Sequence, residues 1–194
     1  MARLMCTAIR ILFLVALLGD VHVTGLPEVG QELPSIKVFE GTPEDAIDIK
    51  ELFGTKKGIL FGVPGAFTPG CSKTHLPSYL AEYKHLKAAG VEVIACVAVN
   101  DPYVMAGWGE ANKAIGKIRF LADTHAELTT ALGLQVPVEP LGAGVRSKRF
   151  SLVVEGGKIT TVNVEPDGFG LTNTLAGPEL FEALGYTGHI RDEL

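Results

Sequence analysis

Gly62-Val63-Pro64-Gly65-Ala66-Phe67-Thr68-Pro69-Gly70-Cys71-Ser72 is the stretch from which the rest of the chain can be read. Before it, residues 57–63 form an apolar run of strand length, stopped by Pro64-Gly65. After it, Leu76, Leu80, Tyr83 and Leu86 recur at helical spacing, and Gly90 is a C′ stop. Thr68 is a good N-cap, and Pro69 suits the first helical position, where no N–H is needed. Pro77 lies inside the helical pattern and is expected to kink the helix or open its hydrogen bonds locally. The stretch thus joins a buried strand to a helix, where α/β folds gather their ligands.

Cys71 falls at the third helical position of that helix. Its sulfur is expected near unpaired backbone N–H groups and the positive end of the helix dipole. Such placement lowers a thiol pKa. A free cysteine near pKa 8.5 is only ~3% thiolate at pH 7, whereas one shifted below about 6 is nearly all thiolate. Gly65 and Gly70 allow a small substrate close to the backbone. Gly65-x-x-x-x-Gly70 also matches the front of a phosphate loop, but Cys71 stands where that loop needs its lysine, and Lys73-Thr74 come two residues late. An inert core thiol is the remaining alternative, and a Gly/Pro-bounded loop is a poor place for one.

Working outward, residues 35–40 read as a strand and 45–53 as a helix. Residues 91–99 form the strongest strand, apolar almost throughout, as in a central parallel strand buried on both faces. Asn100-Asp101-Pro102 turns into a helix over 104–115, followed by a strand over 118–121 and a helix over 125–132. Residues 149–155 and 159–164 flank Gly156-Gly157, a hairpin signal, and a last helix covers 178–184. Helices alternating with strands, then a hairpin, predict a mixed sheet covered by helices. The fold class is α/β, a thioredoxin-like three-layer sandwich, over residues 26–190.

The chain has 194 residues, 47% hydrophobic and 20% charged, enough for one domain with a packed core. A net charge of −5 without basic clusters argues against a nucleic-acid partner. At the N-terminus, Arg3 and Arg10 precede the apolar residues 11–18, and Val23-Thr24-Gly25 supplies small residues for cleavage. This is the pattern of a secretory signal over 1–25, too short to span a bilayer. A mitochondrial presequence is the rival, but such segments are amphipathic and 11–18 is apolar all round. The final Arg191-Asp192-Glu193-Leu194 resembles an endoplasmic-reticulum retention address, with Arg in place of Lys or His. The two ends point to the lumen of the endoplasmic reticulum, with mitochondrial or secreted destinations as alternatives.

Three cysteines do not make a disulfide scaffold, since Cys6 would leave with the signal. Cys96 sits mid-strand in an apolar run and reads as a buried structural thiol. His75, one turn after Cys71, could act as a base, but reads rather as a solvated or partnered surface histidine. Trp108, Phe67 and Phe150 read as packing residues, the last two forming an apolar rim for substrate.

The run from Pro64 to Cys71 resembles the Pro-x-x-x-Thr-x-x-Cys signature of peroxiredoxins, and is most similar to the atypical type-five group. The likeness extends over about 29–184, including Val99-Asn100-Asp101-Pro102, Arg146-Ser147-Lys148-Arg149-Phe150 and Asn163-Val164-Glu165-Pro166-Asp167-Gly168. It implies that Cys71 is the peroxidatic cysteine, that Pro64, Thr68 and Gly70 shape its pocket, and that Arg149 is the active-site arginine. It implies a hydroperoxide substrate, a homodimer, and no metal, flavin or haem. Those residue types suit the chemistry. A thiolate attacks one peroxide oxygen, and donors must stabilise charge on the oxygen that leaves. The Thr68 hydroxyl, the N–H groups of Gly70 and Cys71, and the several donors of Arg149 can do so.

One position departs from the group. Its members often carry a resolving cysteine in Gly-Leu-Thr-Cys-Ser-Leu, and the matching stretch is Gly170-Leu171-Thr172-Asn173-Thr174-Leu175. Asn173 cannot form a disulfide, so the expectation becomes a one-cysteine mechanism. The sulfenic acid is then recycled by an external thiol, whether a thioredoxin-like protein, glutathione or protein disulfide isomerase. The alternatives are a peroxide sensor acting through Cys71 oxidation and a dithiol folding factor, the latter lacking any Cys-x-x-Cys.

Overall fold

The computed structural model describes residues 25–139 and 142–188. Apart from Gly25, the expected leader over 1–25 lies outside the described residues, as do Cys6 and the tail Arg191-Asp192-Glu193-Leu194. In chain order the elements are β1 (Lys37–Glu40), β2 (Thr42–Asp48), α1 (Ile49–Phe53), β3 (Gly58–Gly62), a π-helical turn (Cys71–His75), α2 (Leu76–Ala81) and α3 (Tyr83–Ala88). Then follow β4 (Val93–Ala98), α4 (Pro102–Ala111), β5 (Arg119–Ala122), α5 (Glu127–Ala131), β6 (Gln135–Pro137), β7 (Val145–Ser147), β8 (Phe150–Glu155), β9 (Lys158–Val164) and α6 (Pro178–Ala183). Seven strands form one sheet in the order β2-β1-β5-β4-β3-β8-β9, and β6 pairs β7 separately.

The sheet is mixed, as its sequence pattern predicts. β3, β4 and β5 run parallel, while β8 is antiparallel to β3 and β9. Every residue of β3 and β4 is buried, which accounts for their unbroken apolar character. Alternation along β3 divides the core. Ile59 and Phe61 pack with Leu76, Tyr79, Leu86, Cys96, Trp108 and Phe181. Leu60 packs on the opposite face with Phe53, Ala95, Val97, Leu128 and Phe150. Two apolar clusters separated by one sheet make the three layers of a thioredoxin-like sandwich.

The structure corrects the reading of residues 45–53. Helix is confined to α1, where the Asp48 side chain accepts from the Glu51 N–H at 3.1 Å and so caps its start. Residues 42–48 form instead the edge strand β2, a hairpin partner of β1 across Gly41, whose φ of 78° the turn requires. This edge is largely exposed, so it lacks the hydrophobic alternation that would reveal it, and Pro43 is tolerated there. The short pair β6 and β7, half exposed, escaped the pattern for the same reason.

Pro77 acts as expected. It has no N–H, and its ring crowds the carbonyl four residues back. The preceding turn widens, with the Leu76 N–H bonding to the Cys71 carbonyl five residues away. A second break at Glu82 separates α2 from α3.

Gly62 ends β3 opposite Phe150, and the Phe150 ring occupies the space a Cβ at position 62 would need. Gly62→Ala is therefore expected to destabilise the fold by about 1–3 kcal/mol, a typical overpacking cost. Denaturant unfolding measures this, and Phe150→Leu in the same chain should recover part of the loss.

Candidate active site

The segment after β3 is tied to its neighbours before it reaches the helix. The Val63 N–H continues the sheet to the Val97 carbonyl at 3.0 Å. The Ala66 N–H donates to Asn100 Oδ1 at 3.0 Å, and Arg146 Nη1 donates to the Val99 carbonyl at 2.9 Å. Pro64 is half-buried at the head of this loop, while Phe67 is 59% exposed with φ of 61°, a conformation bulky residues rarely adopt. Thr68 precedes the helix and its carbonyl accepts from the Ser72 N–H at 2.9 Å, but its side chain does not cap the helix as expected. Its hydroxyl donates to the Gly65 carbonyl at 2.9 Å, which corrects the expectation that this proton serves the departing oxygen and leaves the hydroxyl as an acceptor. Pro69 and Gly70 are already helical, so Cys71 does stand third. The N–H groups of Gly70 and Cys71 have no partner among the described residues.

Cys71 is fully buried. Arg149, just before β8 and only 3% exposed, donates from Nη1 to Cys71 Sγ at 3.3 Å. Its Nε donates to the Phe169 carbonyl at 3.1 Å. A Cβ at Gly70 would lie 3.3 Å from Arg149 Nη2, so glycine there leaves room for the guanidinium. The structure thus brings Gly70, Cys71 and Arg149 together, with Thr68 and Pro64 on the loop that delivers them.

His75 is a correction. It is not on the surface but fully buried, on the same helix face as Cys71. Arg149 Nη1 donates to His75 Nδ1 at 3.1 Å, and a guanidinium cannot accept. The proton must therefore sit on Nε2, which donates to the Thr174 carbonyl at 3.0 Å. Burial, and then the Arg149 charge, push its pKa down to about 3, so the ring stays neutral. The ring has no free lone pair with which to act as a base. The spacing of four residues from Cys71, which left a role as base open, does put it in the site, but as an acceptor for Arg149 and not as a base. Tyr79 completes the wall, stacked on Phe61 at 4.0 Å with its hydroxyl donating to the same Thr174 carbonyl at 2.8 Å.

Phe150 is also not where the substrate-rim reading put it. It is 1% exposed and packs on the opposite face of the sheet. Phe67 remains at the surface, and the exposed Phe169 was missed. Trp108 is core, as expected, and its Nε1 donates to Ser72 Oγ at 3.0 Å. Cys96 is a buried free thiol whose pKa is pushed well up by burial and then by Cys71, with Arg149 opposing. Asn173 occupies the segment that folds beside this site. Its Nδ2 donates to the Val164 carbonyl at 3.4 Å, and its buried Oδ1 has no partner.

A buried thiol held by an arginine on the helix that leaves the central strand of a thioredoxin-like sheet defines a thiol-redox protein of the α/β class. The Redoxin family matches residues 28–175. Peroxiredoxin-2D of Arabidopsis thaliana is 39% identical over 143 residues, 72% of this chain and 88% of the relative. Peroxiredoxin 5 from Alvinella pompejana superposes with a TM-score of 0.72 at 39% identity, covering 82% of this chain and 98% of that one. Reduced Prx3 in complex with hydrogen peroxide from Vibrio vulnificus gives a TM-score of 0.73 at 42% identity, covering 82% and 99%. The chain belongs to the peroxiredoxin family. It is a thiol-dependent peroxidase with an antioxidant role.

Because His75 stays neutral to about pH 3 when folded but protonates near 6.5 when unfolded, acid favours the unfolded chain. The sign follows from proton uptake. Stability is full above pH 6.5 and declines toward pH 3, by roughly 4 kcal/mol from this group. Urea unfolding across that range should show the slope, and His75→Asn should flatten it.

Proposed function

We propose that Cys71 is the peroxidatic thiol, with Arg149, Thr68 and the N–H groups of Gly70 and Cys71 serving the peroxide. The observation that carries this reading is the Arg149 Nη1 hydrogen bond to Cys71 Sγ at 3.3 Å. In the thiolate form the sulfur attacks one peroxide oxygen and the O–O bond breaks. The departing oxygen leaves as alkoxide or hydroxide, takes a proton, and Cys71 becomes a sulfenic acid. Arg149 has donors for both the sulfur and the oxygen undergoing exchange. The Thr68 hydroxyl, whose proton rests on Gly65, retains lone pairs to accept from the peroxide O–H. Pro64 shields the product from water.

Asn173 in place of a resolving cysteine supports a one-cysteine cycle. One external thiol condenses with the sulfenic acid, forming a mixed disulfide and water. A second thiol releases Cys71 as thiol and departs as disulfide. The reductant is a thioredoxin-like protein, glutathione or protein disulfide isomerase. The active unit is a homodimer, and the compartment is the lumen of the endoplasmic reticulum, on the strength of residues 1–25 and the Arg191-Asp192-Glu193-Leu194 ending.

One equivalent of peroxide should leave Cys71 as a sulfenic acid that dimedone traps, seen by mass spectrometry, and excess peroxide without thiol should drive it to the sulfinic acid. Cys71→Ser should consume no peroxide while remaining folded. A stoichiometric Cys71–Cys96 disulfide would overturn the one-cysteine cycle.

For the address, deletion of residues 191–194 should send the protein into the medium, scored by immunoblot of cells and supernatant. Import of the intact chain into mitochondria would contradict the secretory reading.

A further inference from the structure

The carboxylate of Glu165, one residue past β9, is 1% exposed and accepts five hydrogen bonds, all from residues 172–174. The Thr172 N–H and hydroxyl donate at 2.8 and 2.6 Å, and the Asn173 N–H at 3.1 Å. The Thr174 N–H and hydroxyl donate at 3.2 and 2.7 Å. No lysine or arginine forms a salt bridge with it among the described residues. Burial raises its pKa, but the bonds from Thr172 and Thr174 outweigh that and hold it below the ordinary value. The loop is wrapped closely around this charge, since a Cβ at Gly170 would come within 2.8 Å of Glu165 Oε2. Burying a carboxylate against neutral donors is costly, and the five bonds offset that cost only in one loop geometry.

That geometry leads directly to the sulfur. Thr174, gripped by its N–H and hydroxyl, presents its carbonyl to His75 Nε2 at 3.0 Å and to the Tyr79 hydroxyl at 2.8 Å. His75 thereby keeps Nδ1 free to accept from Arg149 Nη1, the nitrogen that also reaches Cys71 Sγ. A second link runs through the backbone, where the Glu165 N–H donates to the Arg149 carbonyl at 3.0 Å.

We propose that Glu165 is a positioning residue for peroxide reduction. It pins residues 172–174, so that the Thr174 carbonyl fixes the His75 tautomer and His75 fixes the Arg149 guanidinium on the Cys71 sulfur. The proposal rests on the reading of Cys71 as the peroxidatic thiol. It extends the machinery to a residue that touches neither sulfur nor peroxide.

The test compares the full chain with Glu165→Ala and Glu165→Gln, well below their unfolding temperatures. Two quantities are read: the second-order rate of Cys71 oxidation by hydrogen peroxide, and the imidazole nitrogen shifts of His75, assigned by their loss in His75→Asn. Wild type should show a single Nε2–H tautomer. Glu165→Ala should lose that signature and slow oxidation by roughly tenfold or more, the worth of a misaligned charged hydrogen bond. Glu165→Gln keeps a carbonyl oxygen toward residues 172–174 and should restore both in large part. A folded Glu165→Ala with an unchanged rate, or with a lost rate and an unaltered His75 tautomer, overturns the proposal. If Glu165→Ala does not fold, Thr172→Val and Thr174→Val each remove one hydroxyl donor and should slow oxidation several-fold; unchanged rates in both overturn it. Failure of wild type to oxidise at Cys71 sinks the reading of the site itself. Normal wild-type oxidation with insensitive Glu165 variants sinks the relay alone.

Discussion

The guanidinium of Arg149 carries a fixed charge, has only donors to offer and is almost wholly buried. Its side-chain bonds go to Cys71 Sγ, His75 Nδ1 and the Phe169 carbonyl. None of these is a carboxylate, and burying a cation against neutral acceptors is costly. Of the three, only the sulfur can take on a full negative charge within this geometry. The arrangement around the arginine dictates much of its surroundings. The imidazole must be neutral, its proton must face Thr174, and the loop after β9 must fold over the helix to receive it. The acceptor demand of one arginine thus shapes three segments distant in sequence.

The position of that arginine is itself set by packing. Phe150 pairs with Gly62 at the ends of β8 and β3, and its ring lies where Gly62 has no side chain. This contact fixes the register of the antiparallel pair on the face away from the thiol. Arg149, one residue earlier, is delivered to the sulfur on the other side of the sheet, as strand alternation requires. An apolar contact on one face and a polar one on the other are therefore the same constraint. The backbone bonds of Arg149 to Gly168 and Glu165 close the arrangement against the following loop.

Much of this was legible in the sequence because buried strands and capped helices leave strong patterns. The unbroken apolar runs gave β3 and β4, Gly156-Gly157 gave the final hairpin, and Pro77 announced the widened turn. The edge strand β2 left no such trace, since exposed positions carry no alternation, and its acidic residues read as the start of a helix. Gly70, Cys71 and Arg149, which the structure brings together, were pointed to by a local motif and a family resemblance, as was Thr68 on the loop before them. His75 and Glu165 were not, because their partners lie at positions 149 and 172–174, and burial of a polar residue is a tertiary fact. Phe150 was misplaced for a simpler reason. Neighbours in a strand point to opposite faces, and nothing local says which one a phenylalanine takes.

Zero exposure of the Cys71 side chain means that no molecule meets its sulfur unless the surrounding side chains give way first. A hydroperoxide of two oxygen atoms needs only a small displacement of the side chains around it, whereas another protein's disulfide or a bulky alkylating agent needs a far larger one. Selectivity between oxidants is then kinetic, imposed by molecular cross-section before any difference in reactivity counts.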